Sequence, residues 1–279
     1  MQTNKLSISN VFSAAWEVME DNFLLIVGTS LLAGIVGTAV MAPQVLGVFM
    51  DSGSNEALLL AIVGIPLVMC SGFVTFWMNL GKINVALRLF KKQPTTIKDL
   101  FMIGWMPYLR GFVASLLVGL INGCAMFLVI PAMVPGGIVV FRYFANEGSH
   151  LSGADWAWAI IPVLIAGLLG MCWTAFWSIR FAYFPIAIMQ SADITESLKI
   201  SWRITKGNMW RIGLLGVCQF GVMICGLLAF GIGLVVAVPF IILLDVAAFR
   251  ELSKSEEEKP MIEADIDMSP LAAIKAPIQ

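Results

Sequence analysis

Along the chain, apolar positions gather into six long runs separated by short charged segments. The runs cover about 23-42, 57-80, 112-134, 156-179, 210-230 and 233-250. Each comes close to the ~20 apolar residues that a helix needs to cross a hydrocarbon core about 30 Å thick. "FLLIVGTSLLAGIVGTAVMA" from Phe23 is typical of them. None alternates with the period of two that a membrane barrel requires, so the pattern predicts helices. The last two runs meet at "FGIGL" (230-234), where Gly231 and Gly233 supply the backbone freedom of a tight helix-helix turn. The expected fold is an all-α integral membrane protein with six transmembrane helices.

Three of the polar segments share a pattern. "SISNVFSAAWEVMEDNF" from Ser7, "TIKDLFMIGWMPYLRGF" from Thr96 and "DITESLKISWRITKGNM" from Asp193 align without gaps. Isoleucine recurs at Ile8, Ile97 and Ile194, and tryptophan at Trp16, Trp105 and Trp202. Ser7, Thr96 and Asp193 are N-cap types, and in the last two an acid three residues on, Asp99 or Glu196, resembles a capping box. In the first copy Ile8, Val11, Phe12, Ala15 and Met19 share one face, while Ser9, Asn10, Ser13, Glu17 and Glu20 occupy the rest. That is the pattern of a helix lying in a membrane interface. Asn22, Gly111 and Gly207-Asn208 then offer left-handed positions that would turn the chain into the bilayer. The expected unit is an interfacial helix followed by a membrane hairpin, repeated three times in parallel, with Trp16, Trp105 and Trp202 as interfacial anchors. Pro107 would interrupt the middle copy's helix late.

Composition and charge fix the setting. Of 279 residues, 59% are hydrophobic and only 13% charged, a balance unlike that of a soluble domain. With the N-terminus on the cytoplasmic side, 16 of the 17 lysines and arginines fall in cytoplasmic segments and Arg142 alone falls outside. The positive-inside rule therefore predicts that both termini are cytoplasmic. Lys5 is the only base before the first run, and Glu17, Glu20 and Asp21 precede it directly, so the first run is expected to remain as a span and not to act as a cleaved leader. Trp156 and Trp158 at one end of the fourth run, with Trp173 and Trp177 near the other, fit two aromatic belts. Residues 1-252 then form one six-span membrane domain. The tail 253-279, with its Glu256-Glu258 run and three prolines, reads as a mobile cytoplasmic extension. Expected partners are the bilayer itself, with anionic headgroups at the cytoplasmic face, and a membrane protein or a second copy of the chain. The net charge of -1 gives no reason to expect nucleic acid.

Within the runs, small residues one turn apart (Ala33 and Gly37, Gly119 and Gly123, Ala166 and Gly170, Ala229 and Gly233) predict close helix packing. Asn122 and Gln219 are expected to hydrogen-bond between helices, because no water is available there. Asp245 lies five residues before Arg250, about 7-8 Å deeper along a helix. A carboxylate at that depth needs a partner, and Arg180, at comparable depth, is the candidate for an intramembrane charged pair. Five cysteines fall inside apolar runs, where they act as small packing residues, and no metal-ligand spacing is present. His150 is the one histidine, and HExxH and GxSxG are absent, so no catalytic residue, metal or cofactor is expected. The favoured function is a non-enzymatic membrane-organising or protein- and lipid-interaction module. The alternative is a transporter or permease component for a small molecule or lipid, working through Arg180 and Asp245. For that alternative "LVIPAMVPGGIVVF" (128-141) is the one interrupted segment, and it reads equally as an ordinary exit loop.

From Arg180 onward, "RFAYFPIAIMQSADITESLKISWRITKGNMWRIGLL" and "GIGLVVAVPFIILLDVAAFREL" resemble a large group of bacterial multi-pass membrane proteins of unknown function. They are similar, too, to the membrane domain attached to some glycerophosphoryl diester phosphodiesterases. The "ESLKISW" helix, the Thr205-Asn208 turn, the Gly231/Gly233 bend and Pro239 carry the likeness, over about a third of the chain. The resemblance implies a bacterial cytoplasmic membrane location and a membrane architecture. It brings no hydrolase activity, because a catalytic barrel takes about 250 residues and no family catalytic residue has a counterpart here.

Overall fold

The computed structural model describes residues 6-48, 55-127, 129-134, 138, 153-190, 193-229, 231 and 233-272. Every regular element among them is helical: α1 (Ile8–Asp21), α2 (Phe23–Val48), α3 (Asn55–Phe90), a 3-10 turn (Ile97–Leu100), α4 (Trp105–Gly123), α5 (Gly153–Arg180), α6 (Phe184–Ile188), α7 (Ile194–Thr205), α8 (Met209–Leu228) and α9 (Leu234–Ala272). Four stretches are long and apolar enough to cross a membrane: Phe23–Val40, Trp105–Gly123, Ile160–Ile188 and Met209–Leu228. The apolar runs at 57-80 and 233-250 fall on α3 and α9. Arg142, His150 and Pro135-Gly137 lie outside the described residues, as do the side chains of Trp156 and Glu256-Glu258.

The ends of the elements follow local chemistry. The Ser7 hydroxyl accepts from the Asn10 N–H at the start of α1, and the Asp193 carboxylate accepts from the Ile194 N–H at the start of α7, each satisfying a donor that the first turn of a helix leaves free. The middle copy of the pattern departs from expectation. Only Ile97–Leu100 is helical in its first part, as a 3-10 turn, and Trp105 opens the long helix α4 itself. Pro107 therefore sits in the first turn of α4 and interrupts nothing, because an N–H in that turn has no partner within the helix. The left-handed turn residues also differ. Gly207 has φ +89°, but Asn22 has φ -129° and Gly111 lies inside α4. From Ser253 the charged tail continues α9 as helix to Ala272, where the absence of an apolar stripe gave the sequence no helical signal.

The core gathers around α9. Leu243, Leu244, Val246, Ala247, Ala248, Phe249 and Leu252 are all buried, and α1, α2, α3, α7 and α8 pack against this helix. α1 brings Val11, Ala15 and Met19 to the same cluster, with the Phe12 ring edge-on to Phe240 at 5.9 Å. A second cluster, built on Leu80, Ile103, Tyr108, Ala114, Phe184 and Ile188, joins α4 and α6 to α3. The outer faces of α4 and α5 stay uncovered, with Leu120 70% and Leu168 66% exposed among many others. An apolar surface of that extent needs lipid or a partner.

Small residues do two different jobs in this packing. A Cβ on Gly233 would stand 2.7 Å from the Gly226 backbone, and one on Gly81 would collide with the Leu100 carbonyl. α8 and α9 therefore touch through glycine, and so do α3 and the 3-10 turn. Gly170 lies in ordinary contact with Val129 and Ala125. Gly37, Gly119 and Gly123 face open space, with nothing within 4 Å of a built Cβ, so close packing is absent at these glycines, although Ala33 is buried in the core. Gly233→Ala and Gly81→Ala should each cost about 1-3 kcal/mol, the usual penalty of overpacking. Gly37→Ala should not lower the melting temperature in detergent and should raise it slightly, since alanine costs less than glycine inside a helix, and thermal unfolding of the three variants beside wild type checks the contrast.

Candidate functional site

Polar side chains tie the helix ends together in one layer. The Leu6 N–H donates to Asn208 Oδ1 at 3.4 Å, Arg211 Nη1 donates to the Leu6 carbonyl at 2.5 Å, and the Ser7 N–H donates to Glu251 Oε1 at 2.9 Å. The entry to α1 is thereby clasped between the start of α8 and the inner part of α9. Arg250 Nη1 donates to the Phe90 carbonyl at 2.7 Å, and Ser201 Oγ donates to the Arg180 carbonyl at 2.9 Å. Both acceptors end a long helix, where carbonyls lack a partner within the helix and the dipole is negative.

Asp99 anchors the 3-10 turn. Its carboxylate accepts from the Thr96 N–H at 2.7 Å and the Thr96 hydroxyl at 3.1 Å, and pairs with Arg88 of α3. The Asp99 carbonyl accepts from Asn84 Nδ2 at 3.1 Å. The Thr96 backbone bond first, then the Thr96 hydroxyl and Arg88, hold this carboxyl below the usual carboxylate range against the opposing effect of burial.

Arg180 and Asp245 do not meet. The Arg180 guanidinium carbon lies 4.4 Å from the centre of the Trp202 ring and 5.5 Å from that of Phe176, while Nε and Nη1 have no hydrogen-bond partner among the described residues. Asp245 Oδ1 instead accepts from Gln219 Nε2 at 2.7 Å, a contact between α8 and α9. The similar depth expected of the two charges says nothing about the direction each helix turns its side chains. α5 packs against α4, α7 and α8, whereas α9 packs against α1, α2, α3, α7 and α8. The Asn122 side-chain oxygen is buried without a partner among the described residues, and beside it Trp173 Nε1 donates to the Ile121 carbonyl at 2.9 Å. Trp16 is 60% and Trp105 62% exposed, their rings against Phe240 and Tyr108, and Trp202 caps the Arg180 aromatic cluster.

A groove of about 810 Å³ runs between α2, α3 and α9. Ser30, Gly34 and Thr38 form its α2 wall, Thr75, Asn79 and Lys82 its α3 wall, and Leu234 and Val238 its α9 wall. Positions 75, 79 and 82 stand at i, i+4 and i+7, so they form a single polar stripe down one face of an apolar helix. That spacing is visible in the sequence, where Lys82 was counted only among the cytoplasmic bases. Among the described residues all five cysteines are free and no group of three or more His, Cys, Asp or Glu could hold a metal.

Among the described residues the regular structure is helical, four helices are long and apolar enough to cross a bilayer, and wide apolar flanks stay exposed, which points to a helical membrane protein. The chain belongs to a family described as a domain of unknown function (DUF7847), which matches residues 6–276. No curated protein and no solved structure matches it, and none of these comparisons relates it to the glycerophosphoryl diester phosphodiesterases.

The geometry reassigns the couplings within the membrane. In a double-substitution cycle, Gln219→Leu with Asp245→Leu should show a coupling of about 0.5 kcal/mol or more, whereas Arg180→Gln with Asp245→Asn should be additive within about 0.5 kcal/mol. Melting temperatures of the purified variants measure both. Asp99→Asn should destabilise the protein by roughly 1-2 kcal/mol at pH 7. Because the folded carboxyl titrates below its ordinary value of about 3.9, its contribution is complete above that value and fades as pH falls through the folded one. The gap in melting temperature between wild type and Asp99→Asn should therefore hold from pH 7 to about 5 and narrow below about 4.

Proposed function

We propose that this protein is a non-enzymatic membrane-organising module that interacts with lipid through its basic side. Six spans, α2, α3, α4, α5, α8 and α9, cross a bacterial cytoplasmic membrane, with both termini in the cytoplasm. Three parallel units build it, each entered through a segment at the cytoplasmic interface: α1, the 3-10 turn and α7. The observation that carries this reading is the polar layer. Leu6, Ser7, Phe90, Asp99, Arg180, Asn208 and Glu251, which anchor its ties, all belong to segments that the distribution of bases assigns to the cytoplasmic side. A face that is tied together, basic and rimmed by exposed tryptophans suits anionic headgroups. The likeness to phosphodiesterase membrane domains adds an architecture to this reading and no reaction. The transport alternative relied on Arg180 and Asp245 acting as one site, and their separate partners leave it without that support.

Single cysteines placed at Gln2, Ser149 and Lys254 in a cysteine-free background test the topology. In intact spheroplasts a membrane-impermeant maleimide should label position 149 alone, and positions 2 and 254 should react only after permeabilisation. Termini on opposite sides, or a protected position 149, would overturn the reading. In nanodiscs the melting temperature should rise by several degrees when phosphatidylcholine is replaced by phosphatidylglycerol, and the gain should shrink at high salt. Equal stability in both lipids would count against a lipid-interacting basic face.

A further inference from the structure

We propose that the groove between α2, α3 and α9 holds one anionic glycerophospholipid of the bilayer, its phosphate on Lys82 and one acyl chain lying along α2. The inference rests on the lipid-interaction reading above and names its ligand. Lys82 is half-buried at one end of the groove and has no ion-pair or hydrogen-bond partner among the described residues. Asp99, the nearest carboxylate in sequence, is already committed to Arg88 and Thr96. A cation among apolar side chains needs a counter-charge, and a phosphate supplies one.

The rest of the groove matches the rest of such a molecule. Asn79 and Thr75 continue inward from Lys82 on the same face of α3 and offer donors to the glycerol and ester oxygens. Beyond them the walls are apolar apart from Thr38, whose hydroxyl is spent on the Gly34 and Ile35 carbonyls of its own helix, and α2 presents Gly34 and Gly37, where a side chain would meet nothing within 4 Å. The missing side chains leave room along this wall for an acyl chain to lie against the helix backbone. From Ser30 to Thr38 the α2 wall rises about 12 Å, most of the ~15 Å depth of one leaflet. Lys82 lies level with the first turns of α2, since it also lines a smaller recess with Ile26, Thr29 and Ser30. The charged end of the groove is thus placed at the headgroup region and its apolar end in the hydrocarbon. A free aqueous anion would gain nothing from the apolar walls, and a zwitterionic lipid, whose choline already balances its phosphate, would leave the pair with the net charge of Lys82.

The full-length protein, in nanodiscs of equal parts phosphatidylglycerol and phosphatidylcholine, is extracted into mild detergent and its retained lipids are counted by native mass spectrometry. Wild type should keep about one phosphatidylglycerol per chain. Lys82→Gln should lower that retention about tenfold relative to phosphatidylcholine, and Gly37→Leu, which fills the groove, should lower retention of both lipids. Lys91→Gln, on an exposed base away from the groove, should match wild type. Size-exclusion profiles and helical circular dichroism show whether each variant is folded, and Lys82→Arg, which keeps the charge, should restore retention if Lys82→Gln is folded but empty. The proposal is overturned if folded Lys82→Gln retains phosphatidylglycerol like wild type, or if Gly37→Leu instead dissociates a dimer, which would make a second copy the occupant. Loss of the groove lipid effect with the nanodisc stability gain intact refutes this site alone. Absence of both refutes the lipid-interaction reading beneath it.

Discussion

The rest of the structure depends on the burial of the inner part of α9. From Leu243 to Leu252 this helix is covered on nearly every side, by α1, α2, α3, α7 and α8. In lipid, apolar side chains gain nothing by leaving one hydrocarbon surroundings for another, so association relies on close packing and on interhelical polar contacts. α9 uses both. Ala247 and Ala248 let neighbours approach, Gly233 seats against Gly226, and Asp245 and Arg250 are held by Gln219 and the Phe90 carbonyl. The N-terminal clasp on Asn208, Arg211 and Glu251 then fastens the first unit of the chain to the last.

Helix ends create a second constraint, because four carbonyls at each C-terminus lack a partner within the helix. Here two of the long helices deliver such carbonyls to one layer, where Arg250 and Ser201 meet them. Arg250 thus stabilises the end of α3 with a charge, and Ser201 the end of α5 with a hydroxyl. Lys82 stands apart because it serves no helix end and has no partner among the described residues. Arg180 is intermediate: its carbonyl is used and its guanidinium rests on Trp202.

Much of this was legible in the sequence, and the remainder fails for identifiable physical reasons. Apolar run length located the long helices, and N-cap chemistry located α1 and α7, since both signals are local. The middle unit was misjudged because Trp105 and Pro107 were assigned to an interfacial helix, when a proline in the first turn is equally suited to opening a span. Arg180 and Asp245 were matched by depth, which rise per residue gives, while their separation depends on the rotation of each helix, which it does not. Small-residue spacing predicts a contact at Gly233 and at Gly37 alike, yet Gly37 faces open space, because the pattern cannot say what stands opposite. The stripe of Thr75, Asn79 and Lys82 was readable by its period and gained meaning only once α2 and α9 closed the groove around it.

The docking of α1 on α9 is the most direct point of attack on this account, since it joins residues more than two hundred positions apart. In a cysteine-free background, single cysteines at Val11, Ala15 or Met19 can be combined with single cysteines from Val246 to Phe249 and oxidised in native membranes. If α1 docks on α9 in this way, at least one of these pairs forms an intramolecular disulfide, seen as a faster-running band without reductant, while the exposed position Trp16 paired with Leu120 does not. Failure of every α1–α9 pair, or equal crosslinking of the Trp16–Leu120 control, would contradict it.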